Sequence, residues 1–269
     1  MDDFSGQVVV VTGGSKGIGR STVRKFCERG ARCVVVSRHI VECEAYARDL
    51  AAEGWSAEAH AADIGKIADI KRMVAAVVAR NRKIDVLVNC AAVNIRKQAI
   101  DYTEEDWDHI EGINLKGLFF CCTEVGKVML AQGHGAVVNI ASLQSHIVLK
   151  ERCIYAATKG GVSQITKGLA NEWAKSGIRV NSISPGFVAT PMVKPVLDDP
   201  YWKNLIDSRT PMGRSGKPEE IADLIMFLAS SSAAYITGTD VAIDGGWLAS
   251  RWLQAVLSKA SDPCFGIDS

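Results

Sequence analysis

The sequence lacks the features that mark secreted, membrane-spanning and nucleic-acid-binding proteins. No apolar run in its 269 residues approaches the roughly 18 residues that a transmembrane helix needs. Acidic rather than basic residues precede the first apolar run, so no secretory signal peptide is indicated. Lysine and arginine (31) balance aspartate and glutamate (30), which gives no electrostatic basis for binding nucleic acid or an anionic membrane. These absences predict a cytoplasmic protein without a membrane or nucleic-acid partner.

Metal-binding and disulfide patterns are missing as well. None of the eight cysteines lies in a C-x-x-C pair, and the histidines do not combine with them in a zinc-binding pattern. We therefore expect no metal site, and reduced thiols that mostly fill apolar space. No linker, low-complexity segment or internal repeat divides the chain, so we expect one domain over residues 1–269.

Short apolar runs alternate with helical stretches along the whole chain. Several runs are β-branched and apolar throughout, which is typical of strands buried on both faces. The alternation predicts a single doubly wound Rossmann-type α/β domain with a mainly parallel seven-stranded sheet flanked by helices. The predicted strands are residues 8–11, 33–36, 57–61, 84–89, 136–141, 179–183 and 241–243. Helices are predicted at 17–29, 41–53 and 67–80, from 103 through Asn114, from Tyr155 to about 175, and from 217.

A glycine-rich turn, TGGSKGIG at 12–19, joins the first predicted strand to the first helix. Gly13, Gly17 and Gly19 let the backbone turn tightly and approach a pyrophosphate, and the helix N-terminus offers free N–H groups and the positive end of its dipole. The spacing is G-x-x-x-G-x-G rather than the generic G-x-G-x-x-G. Between a strand and a helix, we interpret this turn as a dinucleotide-phosphate site rather than a plain tight turn.

The end of the second predicted strand bears on which dinucleotide is bound. An acid there accepts hydrogen bonds from the ribose 2′-OH of NAD, whereas an arginine pairs with the 2′-phosphate of NADP. The chain has Ser37 and Arg38 and no acid at this strand end, and Lys16 in the glycine turn adds a second positive charge. These residues predict NADP(H), with NAD(H) as the second possibility. The alternative is that both cations are ordinary solvated residues.

Tyr155 and Lys159 stand four residues apart at the start of a predicted helix, so the phenol and the ammonium share one helix face. A phenol is a weak acid, with an ordinary pKa of about 10, and a nearby positive charge makes its proton easier to move. Ser142 follows the fifth predicted strand. Together the three residues could handle the proton of a carbonyl or an alcohol. Considered alone, the spacing is better explained by a tyrosine and a lysine on the surface of an amphipathic helix, because such pairs are common.

The predicted topology favours the chemical interpretation. In doubly wound sheets, ligands bind beyond the carboxyl ends of the strands. The glycine turn, Asp63, Asn89, Ser142 and Pro185 all fall at predicted strand ends. We therefore expect Ser142 and Tyr155 to face a bound dinucleotide.

The chain resembles the short-chain dehydrogenase/reductase superfamily over residues 6–246. The motifs occur in the order TGGSKGIG (12–19), DI (63–64), NCAA (89–92), Asn114, Ser142, YAATK (155–159), RVNSISPG (179–186) and IDGG (243–246). One departure is NCAA where the family usually has NNAG. Alanine at position 92 adds a methyl group where the backbone nears the cofactor, but removes no catalytic group.

The resemblance implies a role for each matching residue. Tyr155 would be the general acid or base, Lys159 would lower its pKa and hold the nicotinamide ribose, and Ser142 would bind the substrate oxygen. Asn114 would hold a water in a proton relay, completing the catalytic set. The implied cofactor-binding residues are Gly13, Ser15, Lys16, Gly17, Ile18, Gly19, Ser37, Arg38, Asp63, Ile64, Asn89, Ala91, Tyr155, Lys159, Pro185, Val188 and Thr190. The implied substrate-binding residues are Ser142, Gln144 and Tyr155.

By this resemblance the chain is expected to be an NADP(H)-dependent oxidoreductase that interconverts a ketone and a secondary alcohol. The substrate stays open among sugars and polyols, 3-oxoacyl thioesters and steroids. A catalytically idle NADP(H)-binding sensor or scaffold is the alternative of another class. The resemblance also implies a homotetramer or homodimer.

Three segments near the predicted site are less defined. Residues 190–215 show little periodicity and are expected to form a mobile substrate-side loop. Between Leu143 and Arg152, either His146, Lys150 or Glu151 could contact the substrate. The tail, residues 247–269, carries Trp247 and Trp252, for which a pocket cap, a subunit interface and simple core packing all stay open.

Overall fold

Seven parallel strands form one sheet in the computed structural model, which describes residues 3–250. The strand order is β3-β2-β1-β4-β5-β6-β7, and each neighbouring pair is parallel. The strands are β1 Val8–Thr12, β2 Arg32–Ser37, β3 Ala57–Ala61, β4 Val86–Asn89, β5 Gly135–Ile140, β6 Ile178–Pro185 and β7 Asp240–Ile243. The predicted fold class is confirmed, and the predicted strands match within two residues at each end.

Helices connect successive strands and cover both faces of the sheet. They are α1 Gly17–Cys27, α2 Ile40–Ala52, α3 Ile67–Asn81, α4 Glu104–Glu111, α5 Leu118–Gln132, α6 Cys153–Trp173, α7 Lys194–Leu197, α8 Pro200–Arg209 and α9 Pro218–Ala229. Among the helices of residues 3–250, none is long and apolar enough to cross a membrane. The same residues contain no group of three or more His, Cys, Asp or Glu side chains arranged to hold a metal ion.

Two apolar cores explain why the strands are apolar throughout. Val8 and Val10 of β1 pack into a core shared with α3, α5 and α6. Val9 and Val11 point to the opposite face and pack into a core shared with α1, α2 and α9. Because successive side chains of a strand alternate between the faces, a sheet covered on both sides needs apolar residues at every position.

The predicted long helix through Asn114 is wrong in one respect. A π-helical turn, Gly112–Gly117, separates α4 from α5. The Asn114 side chain bonds to the backbone of Val93, a contact that periodicity within one helix cannot reveal. Such π-turns occur often at functional sites.

The segment 190–215, where the sequence shows little periodicity, contains the two helices α7 and α8. Asp199 caps α8 by accepting a 2.8 Å hydrogen bond from the backbone N–H of Tyr201, and Pro200 occupies the first helical position. Asp followed by Pro is a known helix-start pattern. The mobility of the segment stays a prediction, as does the single-domain organisation of residues 1–269.

Candidate active site

A cavity of about 420 Å³ opens at the carboxyl ends of β1, β2, β4, β5 and β6. It brings together sixteen of the seventeen residues predicted to bind a cofactor: Gly13, Ser15, Lys16, Gly17, Ile18, Gly19, Ser37, Arg38, Asp63, Ile64, Ala91, Tyr155, Lys159, Pro185, Val188 and Thr190. Ser142 lines it as well. Asn89, Asn114 and Gln144 are outside its lining. The prediction of a ligand site at the carboxyl ends of the strands therefore agrees with this cavity, although the strand ends lie far apart along the chain.

The glycine turn packs so closely that side chains are excluded at two positions. A Cβ at Gly13, whose φ is +66°, would lie 2.9 Å from the backbone of Ala91. A Cβ at Gly19 would overlap the carbonyl oxygen of Gly13. No side chain caps the N-terminus of α1. This close backbone cradle with uncapped N–H groups fits the phosphates of a dinucleotide.

Lys16 of the glycine turn, Arg38 and Glu42 are among the charged residues that line the cavity. Arg38 is exposed at the end of β2. The Lys16 ammonium donates a 2.8 Å hydrogen bond to Glu42, which also accepts a 3.4 Å bond from the Ser15 hydroxyl. The hydrogen bond from Lys16 lowers the pKa of the Glu42 carboxyl. Glu42 was not among the predicted site residues, because it lies in the first turn of the following helix rather than at the strand end.

Lys159 is buried near the ring of Tyr155. Its side chain is 2% exposed, and its ammonium donates a 2.6 Å hydrogen bond to the carbonyl of Ile140 at the end of β5. The same nitrogen lies 5.7 Å from the centroid of the Tyr155 ring. Burial lowers the pKa of Lys159 to about 8. The four-residue spacing thus brings the phenol ring and the ammonium together, as predicted.

Ser142 and Arg152 both influence the pKa of the Tyr155 hydroxyl. Burial raises the pKa of the Tyr155 hydroxyl, while the hydrogen bond to Ser142 and the charge of Arg152 act in the opposite direction. Ser142 Oγ also accepts a 3.1 Å bond from the backbone N–H of Gln144. Arg152 was not among the predicted site residues. Its position three residues before Tyr155 on the incoming turn was the available signal. The predicted effect of Lys159 on the Tyr155 pKa stays a prediction.

Asn114 is fully buried and engages the loop after β4. Its Oδ1 accepts a 2.8 Å bond from the N–H of Val93, and its Nδ2 donates a 2.8 Å bond to the carbonyl of the same residue. Nδ2 also approaches Thr158 Oγ1 at 3.4 Å. Asn114 therefore ties the π-turn to the cavity wall, of which Val93 is a part. A water-holding role for Asn114 stays a prediction.

Asn89 supports the cavity from inside the sheet. Its Nδ2 donates to Asn139 Oδ1 at 2.9 Å, and its Oδ1 accepts from Thr12 Oγ1 at 3.5 Å. The Thr12 hydroxyl in turn accepts a 3.4 Å bond from the N–H of Ala91, a cavity residue. Asn89 thus joins the ends of three strands and acts on the cavity through Thr12.

The structure also locates His146, Lys150 and Trp247, which were predicted to lie near the site. His146 lies 3.2 Å from the Asp240 carboxylate, and Lys150 is exposed. Trp247 is buried, and its ring packs 5.0 Å from that of Phe187, in agreement with core packing. Trp252 lies outside the described residues.

The parallel sheet, the glycine cradle and the Ser142–Tyr155–Lys159 group define a dinucleotide-binding protein of the Rossmann class. Residues 13–248 match the family model described as "Enoyl-(Acyl carrier protein) reductase". The chain belongs to the short-chain dehydrogenase/reductase superfamily.

Curated relatives and solved structures agree over nearly the whole chain. The chain is 38% identical to 2-dehydro-3-deoxy-D-gluconate 5-dehydrogenase of Bacillus subtilis, covering 92% of this chain and 97% of the relative. It is 37% identical to an L-tagatose-forming galactitol 2-dehydrogenase of Cereibacter sphaeroides, covering 91% and 96%. A gluconate 5-dehydrogenase of Burkholderia cenocepacia, solved with NADP and tartrate, superposes with a TM-score of 0.89 at 32% identity, covering 92% and 97%.

Proposed function

We propose that this protein is an NADP(H)-dependent oxidoreductase that interconverts a secondary alcohol and a ketone. The observation that carries the proposal is the position of Ser142, Tyr155 and Lys159 on the wall of the same cavity as the glycine cradle. The relatives named as sugar-acid and polyol dehydrogenases support this reaction.

The proposed chemistry divides between the cofactor and the chain. The nicotinamide, when bound, supplies or accepts the hydride. Tyr155 gives its proton to the carbonyl oxygen in reduction and removes the hydroxyl proton in oxidation. The Ser142 hydroxyl orients and polarises the same oxygen, and the buried Lys159 ammonium stabilises negative charge on the phenol oxygen. Several kcal/mol of barrier lowering is expected from such fixed polar groups in a site with little water.

The choice of NADP(H) over NAD(H) rests on the cations beyond the glycine cradle. Arg38 and Lys16 line the cavity, and a guanidinium and an ammonium are suitable partners for a 2′-phosphate. Several similar structures were solved with NADP, including a putative gluconate 5-dehydrogenase of Beutenbergia cavernae and a putative 2-deoxy-D-gluconate 3-dehydrogenase of Agrobacterium tumefaciens. Comparing kcat/KM for NADPH and NADH tests this choice, and a preference for NADH would refute it.

Replacing Tyr155 with Phe tests the reaction. We expect NADPH to bind with nearly unchanged affinity, measured by its fluorescence, while turnover falls by roughly a hundredfold to ten-thousandfold. The matched control is Tyr235→Phe, since Tyr235 is fully exposed. A substrate panel of sugar derivatives, diketones, acyl thioesters and steroids should be followed by NADPH oxidation. Unchanged turnover in Tyr155→Phe would refute the role of Tyr155, and NADPH binding without turnover of any substrate would favour the sensor or scaffold.

The proposed assembly is a homotetramer or homodimer. Trp107 of α4 and Phe119 and Leu130 of α5 expose large apolar side chains. Large apolar surfaces of this kind favour protein contacts. A solution mass near the 28.9 kDa of one chain, measured by sedimentation or light scattering, would refute the proposal.

A further inference from the structure

Residues 96–102 form several bonds with Glu151, which lies four residues before Tyr155. The carbonyl of Glu151 accepts hydrogen bonds from the N–H of Lys97 at 3.2 Å and from the Tyr102 hydroxyl at 3.1 Å. Its carboxylate forms a 3.1 Å ion pair with Arg96. Glu151 also has a φ of +64°, a backbone conformation that side chains rarely adopt. Such strain is retained where several contacts hold the backbone, and it clusters at functional sites.

Arg152 follows this strained residue and immediately precedes α6. It is half-buried. Burial lowers the pKa of its guanidinium, the neighbouring charge of Arg96 acts in the same direction, and the Tyr155 hydroxyl acts in the opposite one. Arg152 is the N-cap residue of α6, and Tyr155 follows three residues later in the first turn of the same helix. Its Nε is buried without a hydrogen-bond partner among residues 3–250. A buried donor of this kind is costly unless a ligand satisfies it.

Two buried acceptors lie in the segments next to Val93 and Ser142. Asn94 Oδ1 and Gln144 Oε1 have no hydrogen-bond partner in the described part of the chain. Asn94 follows Val93, which Asn114 fixes, and Gln144 is 7% exposed and bonds to Ser142 through its backbone. The chain segments next to Val93, Ser142 and Tyr155 thus hold one unsatisfied cationic donor and two unsatisfied acceptors.

The Arg152 guanidinium and the amide oxygens of Asn94 and Gln144 favour some of the possible substrate classes over others. A carboxylate would satisfy the guanidinium, and hydroxyl groups would donate to the two amide oxygens. A steroid is mainly apolar, so it would leave both the guanidinium and the amide oxygens without partners. A neutral polyol satisfies the acceptors but leaves the guanidinium unpaired. We propose that Arg152 binds a substrate carboxylate while Asn94 and Gln144 accept from its hydroxyl groups, so that the substrate is a sugar acid. This inference rests on the proposed oxidoreductase function and goes beyond it by naming the residues that recognise the substrate.

The test compares three probes that differ in one substituent: D-gluconate, the neutral D-glucitol, and D-glucitol 6-phosphate. For each, kcat/KM is measured with saturating NADP⁺, and equilibrium binding is measured by calorimetry with and without NADP⁺. We expect the wild-type protein to prefer D-gluconate to D-glucitol by at least tenfold, since hydrogen bonds to charged groups exceed neutral ones by about this factor. Arg152→Gln should reduce this preference by about ten- to hundredfold, and Arg152→Lys should restore part of it.

Lys150→Gln is the matched control, since it removes an exposed positive charge two residues away. Its preference for D-gluconate should equal that of the wild-type protein. Using the ratio of the two substrates cancels any effect of Arg152 on the proton transfer by Tyr155.

The failures of the two proposals are distinguishable. Turnover of D-glucitol equal to that of D-gluconate, or an unchanged preference in Arg152→Gln, would overturn the carboxylate subsite and leave the oxidoreductase intact. A preference for D-glucitol 6-phosphate would overturn it in favour of a phosphate. Binding of D-gluconate that depends on Arg152, without turnover of these probes or of any substrate in the panel, would support the subsite and refute the reaction.

Discussion

The Glu42 carboxylate accepts a 2.8 Å hydrogen bond from the Lys16 ammonium, so an acid already engages one of the cations that line the cofactor cavity. A 2′-phosphate reaching Lys16 competes with this carboxylate and meets its negative charge. We therefore expect Glu42 to lower the affinity for NADP(H) relative to what Lys16 and Arg38 alone would give.

Glu42→Gln should strengthen the binding of NADPH. Both side chains of the pair are partly exposed, which keeps the gain modest, so we expect the Kd to fall by up to about fivefold. The Kd for NADH should change less, because it has no 2′-phosphate. Fluorescence titration of both cofactors measures the effect. Asp49→Asn is the control, since this acid on the same helix pairs with Arg20 outside the cavity lining. Weaker NADPH binding in Glu42→Gln would show that the carboxylate instead positions Lys16 for the cofactor.

Arg38→Asp should reverse the cofactor preference. The change removes the partner of a 2′-phosphate and provides an acceptor for the ribose 2′-OH of NADH. We expect kcat/KM for NADPH to fall by at least tenfold and that for NADH to rise. Arg48→Asp, at an exposed position of α2 outside the cavity lining, makes the same charge change. Equal losses in the two variants would mean that the net charge, rather than a contact of Arg38, controls cofactor binding.

The features that the sequence could predict depend on local patterns. The positions of β1, β2 and β4 were predictable because each contains a buried apolar run, at 8–11, 33–36 and 86–88. The edge of the sheet that carries the site was predictable as well, since parallel strands place their carboxyl ends together.

The features that the sequence could not predict depend on contacts between distant segments. The π-turn at Gly112–Gly117 accompanies the bonds between Asn114 and Val93 across 21 residues. The site role of Arg152 depends on loops that meet through Glu151 and Lys97. Neither contact leaves a periodic pattern in the sequence. The helix at Pro200–Arg209 is different, because its start is marked by a local pattern in the sequence, Asp199 followed by Pro200.

Gly117→Ala should disturb the π-turn and the cavity together. A Cβ at position 117 would overlap the carbonyl oxygen of Ile64, a cavity residue, so the backbone must shift. We expect a loss of about 1–3 kcal/mol in the free energy of unfolding and weaker NADPH binding. Urea unfolding and fluorescence titration measure the two effects.

Gly112→Ala is the matched control within the same turn. A Cβ there meets no atom within 4 Å, so this variant should be as stable as the wild-type protein or up to about 1 kcal/mol more stable. Equal destabilisation by the two substitutions would indicate that the π-turn itself requires glycine, whatever the space around it.

Lys159 should make the stability of the protein depend on pH in a defined window. Its folded-state pKa is about 8, below the ordinary value of 10.5, because burial disfavours the ammonium. Between these two values the unfolded chain holds a proton that the folded chain has released, so the free energy of unfolding rises with pH. The full rise attributable to Lys159 is about 3 kcal/mol, and the cost of burying the charge is fully present below pH 8.

Lys159→Met should remove this dependence. Urea unfolding at several pH values from 7 to 10.5 gives the difference in the free energy of unfolding between the wild-type protein and the variant. We expect this difference to move in favour of the wild-type protein as the pH rises through the window. Lys167→Met, which removes an exposed lysine of the same helix, should show no such trend. A difference that stays constant, or moves the other way, would mean that the ammonium is stabilised in the folded protein, and that its bond to the Ile140 carbonyl offsets its burial. The turnover of Lys159→Met should be low at every pH, because the variant has no charge to stabilise the phenolate of Tyr155.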